Sequence, residues 1–260
     1  MTKDYLWLHL KDLPYFRALL RAVEAEFFQE FPLPPPVLDV GCGDGHFASV
    51  AFDQPLEVGL DPSALSLRQA ARLGGYRQLV QAEGGRMPFP DGHFASGLSN
   101  SVLEHIPGVQ AVLAEVARLL KPGALFLFTV PNPAYLEGLA VPAWLAKIGL
   151  SRLGALYTDW FRRMSRVQHA PPAAVWRTWL EGAGFVLEKH WDYFSPQALR
   201  VLELGHFFGA PTLLPHRLTG RWILVPQRWN LAITERLVRP HAQAQPHPAG
   251  AFTFYVARKG

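Results

Sequence analysis

Three glycines that follow a short apolar segment are the first residues whose type and spacing could do chemistry. Residues 37–47 have the sequence VLDVGCGDGHF, in which Gly41, Gly43 and Gly45 alternate with other residues. Glycine adopts positive φ without steric cost and lets a ligand lie against the backbone, and a helix start presents unpaired N–H groups. This pattern predicts a strand, a tight turn and a helix that bind a ligand. The alternative is that the turn only connects a strand to a helix.

The spacing of these glycines differs from that of the dinucleotide-binding fingerprint. In that fingerprint, G-x-G-x-x-G, the third glycine allows close packing of the helix beside a pyrophosphate. Here the third glycine, Gly45, comes one residue earlier. A dehydrogenase of the same fold class is therefore disfavoured, and nothing in the rest of the chain resembles the second domain of such an enzyme.

An acidic residue ends the next apolar segment. The sequence LEVGLDPS places Asp61 at the predicted end of a second strand, 16 residues after Gly45. A carboxylate there can accept hydrogen bonds from both vicinal hydroxyls of a ribose, as an acid about 20 residues beyond the turn does in dinucleotide-binding folds. The alternative is that Asp61 caps a helix that starts at Pro62, because Asp before Pro is a favourable N-cap and first-turn pair.

Alternating strands and helices must position these residues. VLDV, LEVGLD, QLVQAE, ASGLSN and ALFLFTV are short apolar segments, and helix-like segments such as PSALSLRQAARL and VQAVLAEVARLL separate them. An amphipathic helix, YFRALLRAVEAEFFQEF, precedes the first strand. This alternation predicts a doubly wound α/β fold with a mainly parallel sheet. Ligands of such sheets bind beyond the carboxyl ends of the strands, where the strand order reverses. The glycine turn and Asp61 fall at that edge.

Four motifs together resemble a known family. VLDVGCGDG, GLDPS, RMPFPDGHFASGLSNSVLEHI and LLKPGALFLFTVPN occur in the order and spacing of the class I S-adenosylmethionine-dependent methyltransferases, in the branch that includes ubiquinone-type and small-molecule enzymes. The resemblance covers residues 37–132. It implies a Rossmann-like methyltransferase fold whose last strand, AFTFYVARK, is antiparallel. It also implies S-adenosylmethionine as the cofactor, S-adenosylhomocysteine as the product, and a single domain over residues 1–260.

The resemblance further implies which residues hold the cofactor. Gly41, Cys42 and Gly43 are expected to lie along its methionine part. Asp39 is expected to hydrogen-bond towards the amino-acid end, through the turn or through ordered water. Asp61 is expected to bind the ribose.

The remaining implied contacts lie after the third and fourth strands. Glu83, in QAEGGRMPF, falls where the family has an acid that contacts the adenine amino group, with the backbone of Gly84 beside it. Family members more often have Asp at this position. Asn100 and Ser101 follow the fourth strand, where the family lines the methionine carboxylate and the reacting methyl group. Pro62, next to Asp61, completes the expected cofactor site.

His105 and His169 are the first candidates for acid–base chemistry, and His190, Tyr135 and Tyr157 are further candidates in the region expected to cover the substrate. His105 ends the VLEHI segment and His169 lies in the region expected to cover the substrate. A general base contributes about 10²- to 10⁴-fold where the acceptor must lose a proton. The alternative, which we favour for His105, is a role in positioning the loop after the fourth strand. No group of Cys or His with ligand spacing accompanies Glu104, so we predict no metal site.

Two insertions and an uneven charge distribution characterise the rest of the chain. Residues 133–170 and 195–250 are expected to form helical insertions that act as a substrate lid. Residues 1–146 hold 10 Lys and Arg against 15 Asp and Glu, whereas residues 147–260 hold 15 against 6. Clustered basic residues attract phosphates and carboxylates. This charge indicates an anionic substrate, an anionic membrane surface or nucleic acid. The alternative is a solvated basic surface.

Composition restricts the compartment and the partners. The single cysteine excludes an internal disulfide framework, and the first residues lack the pattern of a secretory signal. No stretch reaches the roughly 18 apolar residues of a membrane span. We therefore expect a cytoplasmic protein whose membrane contact, if any, is peripheral.

The expected partner is a small-molecule, lipid-type or glycan-type methyl acceptor, and an anionic one fits the charge. The alternatives are an RNA or protein methyltransferase and a non-catalytic protein that binds S-adenosylmethionine. The sequence holds no recognisable RNA-binding module, and we expect no DNA partner. The acceptor atom and the oligomeric state are left open.

Overall fold

The chain forms two compact units. The computed structural model describes residues 3–260, apart from the side chain of Ala210. The first unit, here called the helical unit, consists of the described residues up to 27 together with residues 134–165 and 193–251. The second, the sheet unit, consists of residues 28–133, 166–192 and 252–260.

The strands form one seven-stranded sheet. All four residues of its first strand are buried, three of them apolar, as expected of a central strand. The third strand carries Arg and Gln residues and is largely exposed, as suits the edge of a sheet. The strands are Val37–Val40 (β1), Leu56–Asp61 (β2), Tyr76–Gln81 (β3), Phe94–Asn100 (β4), Leu120–Pro131 (β5), Phe185–Tyr193 (β6) and Phe252–Lys259 (β7).

The helices lie between the strands and within the two insertions. Those within the insertions and before β1 belong to the helical unit. The α-helices are Tyr5–Leu10 (α1), Tyr15–Gln29 (α2), His46–Ala51 (α3), Ala64–Leu73 (α4), Val109–Leu119 (α5), Ala134–Glu137 (α6), Ala140–Lys147 (α7), Ser151–Met164 (α8), Ala173–Gly182 (α9), Pro196–Phe208 (α10), Leu213–Thr219 (α11) and Arg228–Val238 (α12).

The order of the strands confirms the predicted doubly wound fold. The sheet has the order β3-β2-β1-β4-β5-β7-β6. The pairs β1–β2, β2–β3, β1–β4 and β4–β5 are parallel, and β7 is antiparallel to β5. From β1 the chain proceeds outward to β2 and β3 and then returns to the other side of β1 with β4. The strand order therefore reverses between β1 and β4, and their carboxyl ends are the expected place for a ligand.

Close backbone packing beside β1 depends on glycine. Gly45 has a φ of +75°, and a Cβ added to it would lie 2.7 Å from the Cβ of Ala70 in α4. Since this distance is shorter than real Cβ contacts, glycine allows α3 and α4 to approach. The apolar core of the sheet unit lies farther along the sheet. There Phe128 of β5 stacks on Tyr255 of β7 with ring centroids 4.6 Å apart, and Trp176 of α9 is fully buried against both.

Buried carboxylates organise the helical unit. Glu203 of α10 is fully buried, and it accepts hydrogen bonds from the backbone N–H groups of Ala140 (2.6 Å) and Val141 (3.1 Å) at the start of α7. Unpaired N–H groups at a helix N-terminus favour such a negative charge. Glu24 of α2 is also buried and accepts a hydrogen bond from the hydroxyl of Tyr193 at 2.8 Å.

Replacing Gly45 by Ala is expected to destabilise the protein through packing as well as backbone strain. Gly74 is the matched control, because it has a similar φ of +68° and its added Cβ would meet no atom of the described residues within 4 Å. We expect Gly74→Ala to cost about 1 kcal/mol and Gly45→Ala about 1–3 kcal/mol more. Urea unfolding measures both free energies. Equal losses in the two variants would contradict the packing role.

Candidate functional site

The glycine turn after β1 is bound to the end of β2. The backbone N–H groups of Gly41 and Cys42 both donate to the carbonyl of Leu60, at 2.8 and 2.9 Å. Gly41 has a φ of +80°, and a Cβ added there would lie 2.3 Å from the side chain of Val102. The turn therefore lies directly against the residues that follow β4.

Gly43 differs from its two neighbouring glycines. Its φ is +55°, and the position of an added Cβ has no atom of residues 3–260 within 4 Å. Since the N–H of Gly43 donates to Oδ2 of Asp61 at 3.0 Å, the backbone is held in place while one side of it faces open space. A rigid backbone beside open space is the arrangement that a ligand lying along the turn requires.

Asp61 connects the turn to the start of α4. Its Oδ1 accepts a hydrogen bond from the N–H of Ser63 at 2.8 Å. The helix begins at Ala64, and its N-cap is Ser63, whose hydroxyl accepts from the N–H of Ser66 at 3.2 Å. The alternative that Asp61 caps a helix starting at Pro62 is therefore wrong. An ionised carboxylate has about four acceptor positions, so two hydrogen bonds leave others for a ligand.

Asp39 lies within β1 and is buried. Its Oδ2 accepts a hydrogen bond of 2.5 Å from the hydroxyl of Tyr76 in β3. The ring of Tyr76 crosses β2 at Gly59, where an added Cβ would lie 2.8 Å from the ring. The sequence did not predict this role of Tyr76, because Tyr76 belongs to none of the motifs and only the strand register brings it next to Gly59.

The end of β4 is supported by β5. The Nδ2 of Asn100 donates to Oγ1 of Thr129 at 3.0 Å, and the N–H of Ser101 donates to the same oxygen at 3.0 Å. Ser101 has a φ of +52°, an uncommon value for a residue other than glycine. Backbone strain of this kind is concentrated at functional sites. Thr129 is a further residue of this edge that sequence reasoning missed.

Pro62 follows β2, and Glu83 and Gly84 follow β3, so all three lie at the same edge of the sheet as the glycine turn. Pro62 is exposed, and its carbonyl accepts a hydrogen bond from the side chain of Gln81 at 3.0 Å. Glu83 is exposed beyond the end of β3. A Cβ on the neighbouring Gly84 would lie 3.2 Å from Val112, which explains a small residue at this position. The carboxyl ends of β3, β2, β1 and β4 thus bring the ten predicted cofactor residues to one edge.

The thiol of Cys42 is held in its neutral form. Burial, followed by the charges of Asp39 and Asp61, raises the pKa of Cys42 far above its usual range. Thiolate is the reactive form of cysteine. Cys42 therefore provides backbone and bulk to the turn and does not act as a nucleophile.

His105 and His169 join two segments of the sheet unit, the loop after β4 and the segment before α9. Each histidine ring contacts a backbone carbonyl of the other segment. Nδ1 of His105 lies 3.0 Å from the carbonyl of Arg166, and Nε2 of His169 lies 2.9 Å from the carbonyl of Ile106. The backbone N–H of His169 also donates a hydrogen bond to the backbone carbonyl of Glu104. Burial, together with the charge of Arg166, lowers the pKa of His105. This geometry favours the positioning role for both histidines.

Within the part of the chain that the structure describes, no cluster of three or more His, Cys, Asp or Glu side chains is arranged to hold a metal ion.

Known sequences match the part of the chain that contains this edge. Residues 38–128 match the family described as methyltransferase domain. The fatty-acid O-methyltransferase of Mycolicibacterium smegmatis is 34% identical over 114 residues, which are 42% of this chain and 40% of that protein. The malonyl-[acyl-carrier protein] O-methyltransferase of Legionella pneumophila is 31% identical over 119 residues, 44% of this chain and 42% of that protein. The chain thus spans about two-fifths of the length of these relatives.

Solved structures share the fold. Geranyl diphosphate C-methyltransferase from Streptomyces coelicolor, crystallised with Mg²⁺, geranyl diphosphate and S-adenosyl-L-homocysteine, superposes with a TM-score of 0.56 at 16% identity. The match covers 95% of this chain and 82% of that one. The sheet, the glycine turn and these matches define a protein with a methyltransferase domain. The comparisons support the predicted resemblance to the class I S-adenosylmethionine-dependent methyltransferases, with S-adenosylmethionine as the cofactor.

Cys42 is expected to resist thiol reagents in the folded protein. Because it is the only cysteine, labelling with a chromogenic disulfide reports on it alone. At mildly alkaline pH we expect slow labelling of the native chain and fast, stoichiometric labelling in concentrated guanidinium, since unfolding removes the burial and the nearby carboxylates that raise the thiol pKa. Fast labelling of the native chain would contradict this assignment.

Proposed function

We propose that the sheet unit binds S-adenosylmethionine along the glycine turn and that the protein transfers the methyl group to an anionic, amphiphilic small molecule, at a carboxylate. The open space beside Gly43 is the observation that carries the first part of this proposal. A ligand can lie against the turn there without any movement of the protein, because no side chain of the described residues fills the space.

The side chains around the turn suit the parts of this cofactor. Asp61 keeps acceptor positions for the two ribose hydroxyls after its bonds to Gly43 and Ser63. Glu83 is exposed, so its carboxylate is accessible to an adenine amino group. Asp39 adds a buried negative charge near the turn, which favours a cationic sulfonium.

Asn100 and Ser101 are proposed to line the methionine end and the reacting methyl. Their hydrogen bonds to Thr129 fix the end of β4, so polar groups are pre-organised where the acceptor must be aligned. Bound S-adenosylmethionine would supply an electrophilic methyl group for transfer to an acceptor oxygen, and Asn100 and Ser101 would hold its methionine end. The protein therefore needs mainly to align the two reactants and exclude water.

The chemistry of the acceptor is inferred from the relatives and the charge. The two relatives with named acceptors act, by their names, on a fatty acid and on malonyl-[acyl-carrier protein], and both acceptors contain carboxylates. The excess of basic residues after residue 146 attracts anionic molecules. A carboxylate acceptor is already ionised at neutral pH and needs no general base. This agrees with the engagement of His105 and His169 with backbone carbonyls.

Gly43→Ala is expected to weaken cofactor binding by filling the space beside the turn. Gly92→Ala is the matched control, because Gly92 has a φ of +61° and its added Cβ would also meet no atom of the described chain within 4 Å. Calorimetric titration with S-adenosylhomocysteine should give a Kd at least about tenfold higher for Gly43→Ala and a Kd within about twofold of the parent for Gly92→Ala.

Asp61→Asn tests the ribose contact in the same titration. Loss of a charged hydrogen-bond acceptor should weaken binding by about 10- to 100-fold. Thermal unfolding separates this effect from damage to the turn, because Asp61 also holds Gly43 and Ser63. Tight binding of S-adenosylhomocysteine by both Gly43→Ala and Asp61→Asn would refute the proposed site.

The pH dependence of methyl transfer should identify the acceptor class. With a medium-chain fatty acid as acceptor, we expect ester formation whose rate stays constant as pH falls until the acceptor protonates near pH 5, because the carboxylate needs no base. The matching alcohol and amine should not be methylated. Methylation of only the alcohol or amine, with a rate that falls below about pH 6.5, would instead indicate a histidine base.

A further inference from the structure

Helix α8 exposes a continuous apolar stripe. Leu153, Leu156, Trp160 and Met164 follow one another at spacings of three and four residues, so they lie on one side of the helix. All four are exposed, whereas Phe161, on another side of α8, is fully buried. The helix therefore packs into the helical unit through one side and presents a second apolar side outward.

Basic side chains lie beside this stripe. Arg152 precedes Leu153 and Arg163 precedes Met164, so both lie along the same margin of the stripe. Both arginines are exposed. The only acidic residue of α8 is Asp159. Its carboxylate lies 3.5 Å from the guanidinium of a third arginine, Arg162, and partly neutralises the charge of that arginine. The outer surface of α8 thus combines apolar and cationic groups.

The stripe continues onto α10. The ring of Trp160 stacks on that of Phe207 with centroids 5.8 Å apart, and both side chains remain exposed. Phe208 and Leu204 are exposed on the same helix. The aromatic pair therefore extends the exposed apolar surface of α8 onto α10.

Helix α12 repeats the arrangement. Trp229, Ile233 and Leu237 occur every four residues and are 75%, 78% and 66% exposed. Leu231 and Val238, on a different side of α12, are buried in the helical unit. The stripe is therefore not the packing face of the helix.

The acidic groups near α12 are already engaged. Glu235 forms ion pairs with Arg239 and Arg228, and Asp4 pairs with the same two arginines. Arg236 lies beside the stripe, is exposed, and has no ion-pair partner among residues 3–260. The surface around this stripe is consequently also cationic.

Exposed apolar side chains are concentrated in the helical unit. Among the described residues, the large exposed hydrophobic side chains outside this unit are Leu65, Leu73 and Val186. No helix of the described chain is long and apolar enough to cross a bilayer. The apolar surface therefore consists of stripes on helices that are otherwise packed, which is the pattern of helices lying in a membrane interface.

We propose that the outward faces of α8 and α12 bind the surface of an anionic lipid bilayer. The apolar stripes, each with a tryptophan, would lie at the boundary between headgroups and acyl chains, and the arginines beside them would contact anionic headgroups. Charge distinguishes this occupant from a second copy of the chain. Self-pairing would bring equal cationic margins together, whereas an anionic bilayer neutralises them. The proposal does not depend on methyl transfer.

Sedimentation of the full chain with vesicles tests this proposal without substrate or cofactor. We expect binding to vesicles that contain phosphatidylglycerol, weaker binding to vesicles of phosphatidylcholine alone, and release by salt. Leu153→Gln with Leu156→Gln should lower the partition coefficient at least about tenfold. Arg152→Gln with Arg163→Gln should lower it about tenfold on the anionic vesicles.

Leu65→Gln with Leu73→Gln is the matched control, since both leucines are exposed on α4 in the sheet unit. These substitutions should leave vesicle binding unchanged. All variants should keep the parent's circular dichroism, because the substituted side chains are exposed. Failure of the parent to bind anionic vesicles, or equal binding by the Leu153→Gln, Leu156→Gln variant, would overturn the proposal. A dimer in light scattering that dissociates in that variant, without vesicle binding, would show that a second copy covers these faces.

Discussion

The arrangement of the site depends on the hydrogen bonds that hold a left-handed turn against β2. The carbonyl of Leu60 accepts from Gly41 and Cys42, and the carboxylate of Asp61 accepts from Gly43. Successive positive φ angles are accessible to glycine at little cost, but they leave N–H groups that must find partners. Because the end of β2 supplies those partners, the turn keeps its shape and still leaves open space beside Gly43. The other residues at the carboxyl ends of the strands can contact a ligand together only if this backbone keeps its position.

The electrostatics of the edge follow from burial and hydrogen bonding together. Burial, and after it the carboxylates of Asp39 and Asp61, raises the pKa of the Cys42 thiol, and burial lowers the pKa of His105. The site thus offers negative charge and fixed polar groups but no obvious base. A methyl transfer that relies on alignment is compatible with such a site, particularly when the acceptor is already ionised. Proton transfer that leaves Cys42 or His105 charged would be unfavourable, because burial disfavours their charged forms.

The sequence predicted the sheet unit well because its elements are locally encoded. Short, mainly apolar segments such as VLDV indicated buried strands, and the glycine turn marked the end of β1. The helix after Asp61 was less well predicted. Asp before Pro left a cap at Asp61 open as the alternative, yet Ser63 caps α4 and Asp61 holds the turn. Local propensity allowed both caps, and the hydrogen bond across to the neighbouring strand decided between them.

The family resemblance, the succession of strands and helices along the chain and the candidate cofactor residues were predictable from the sequence, because motifs and periodicity are properties of consecutive residues. Only the tertiary structure decided the partners of those residues. Tyr76 reaches Asp39 because glycine at position 59 leaves room for its ring, and Thr129 supports Asn100 because β4 and β5 pair in register. Likewise, the apolar residues of α8 and α12 could have been core. Which side of a helix is covered depends on neighbours distant in the chain, so exposure was not readable from the pattern alone.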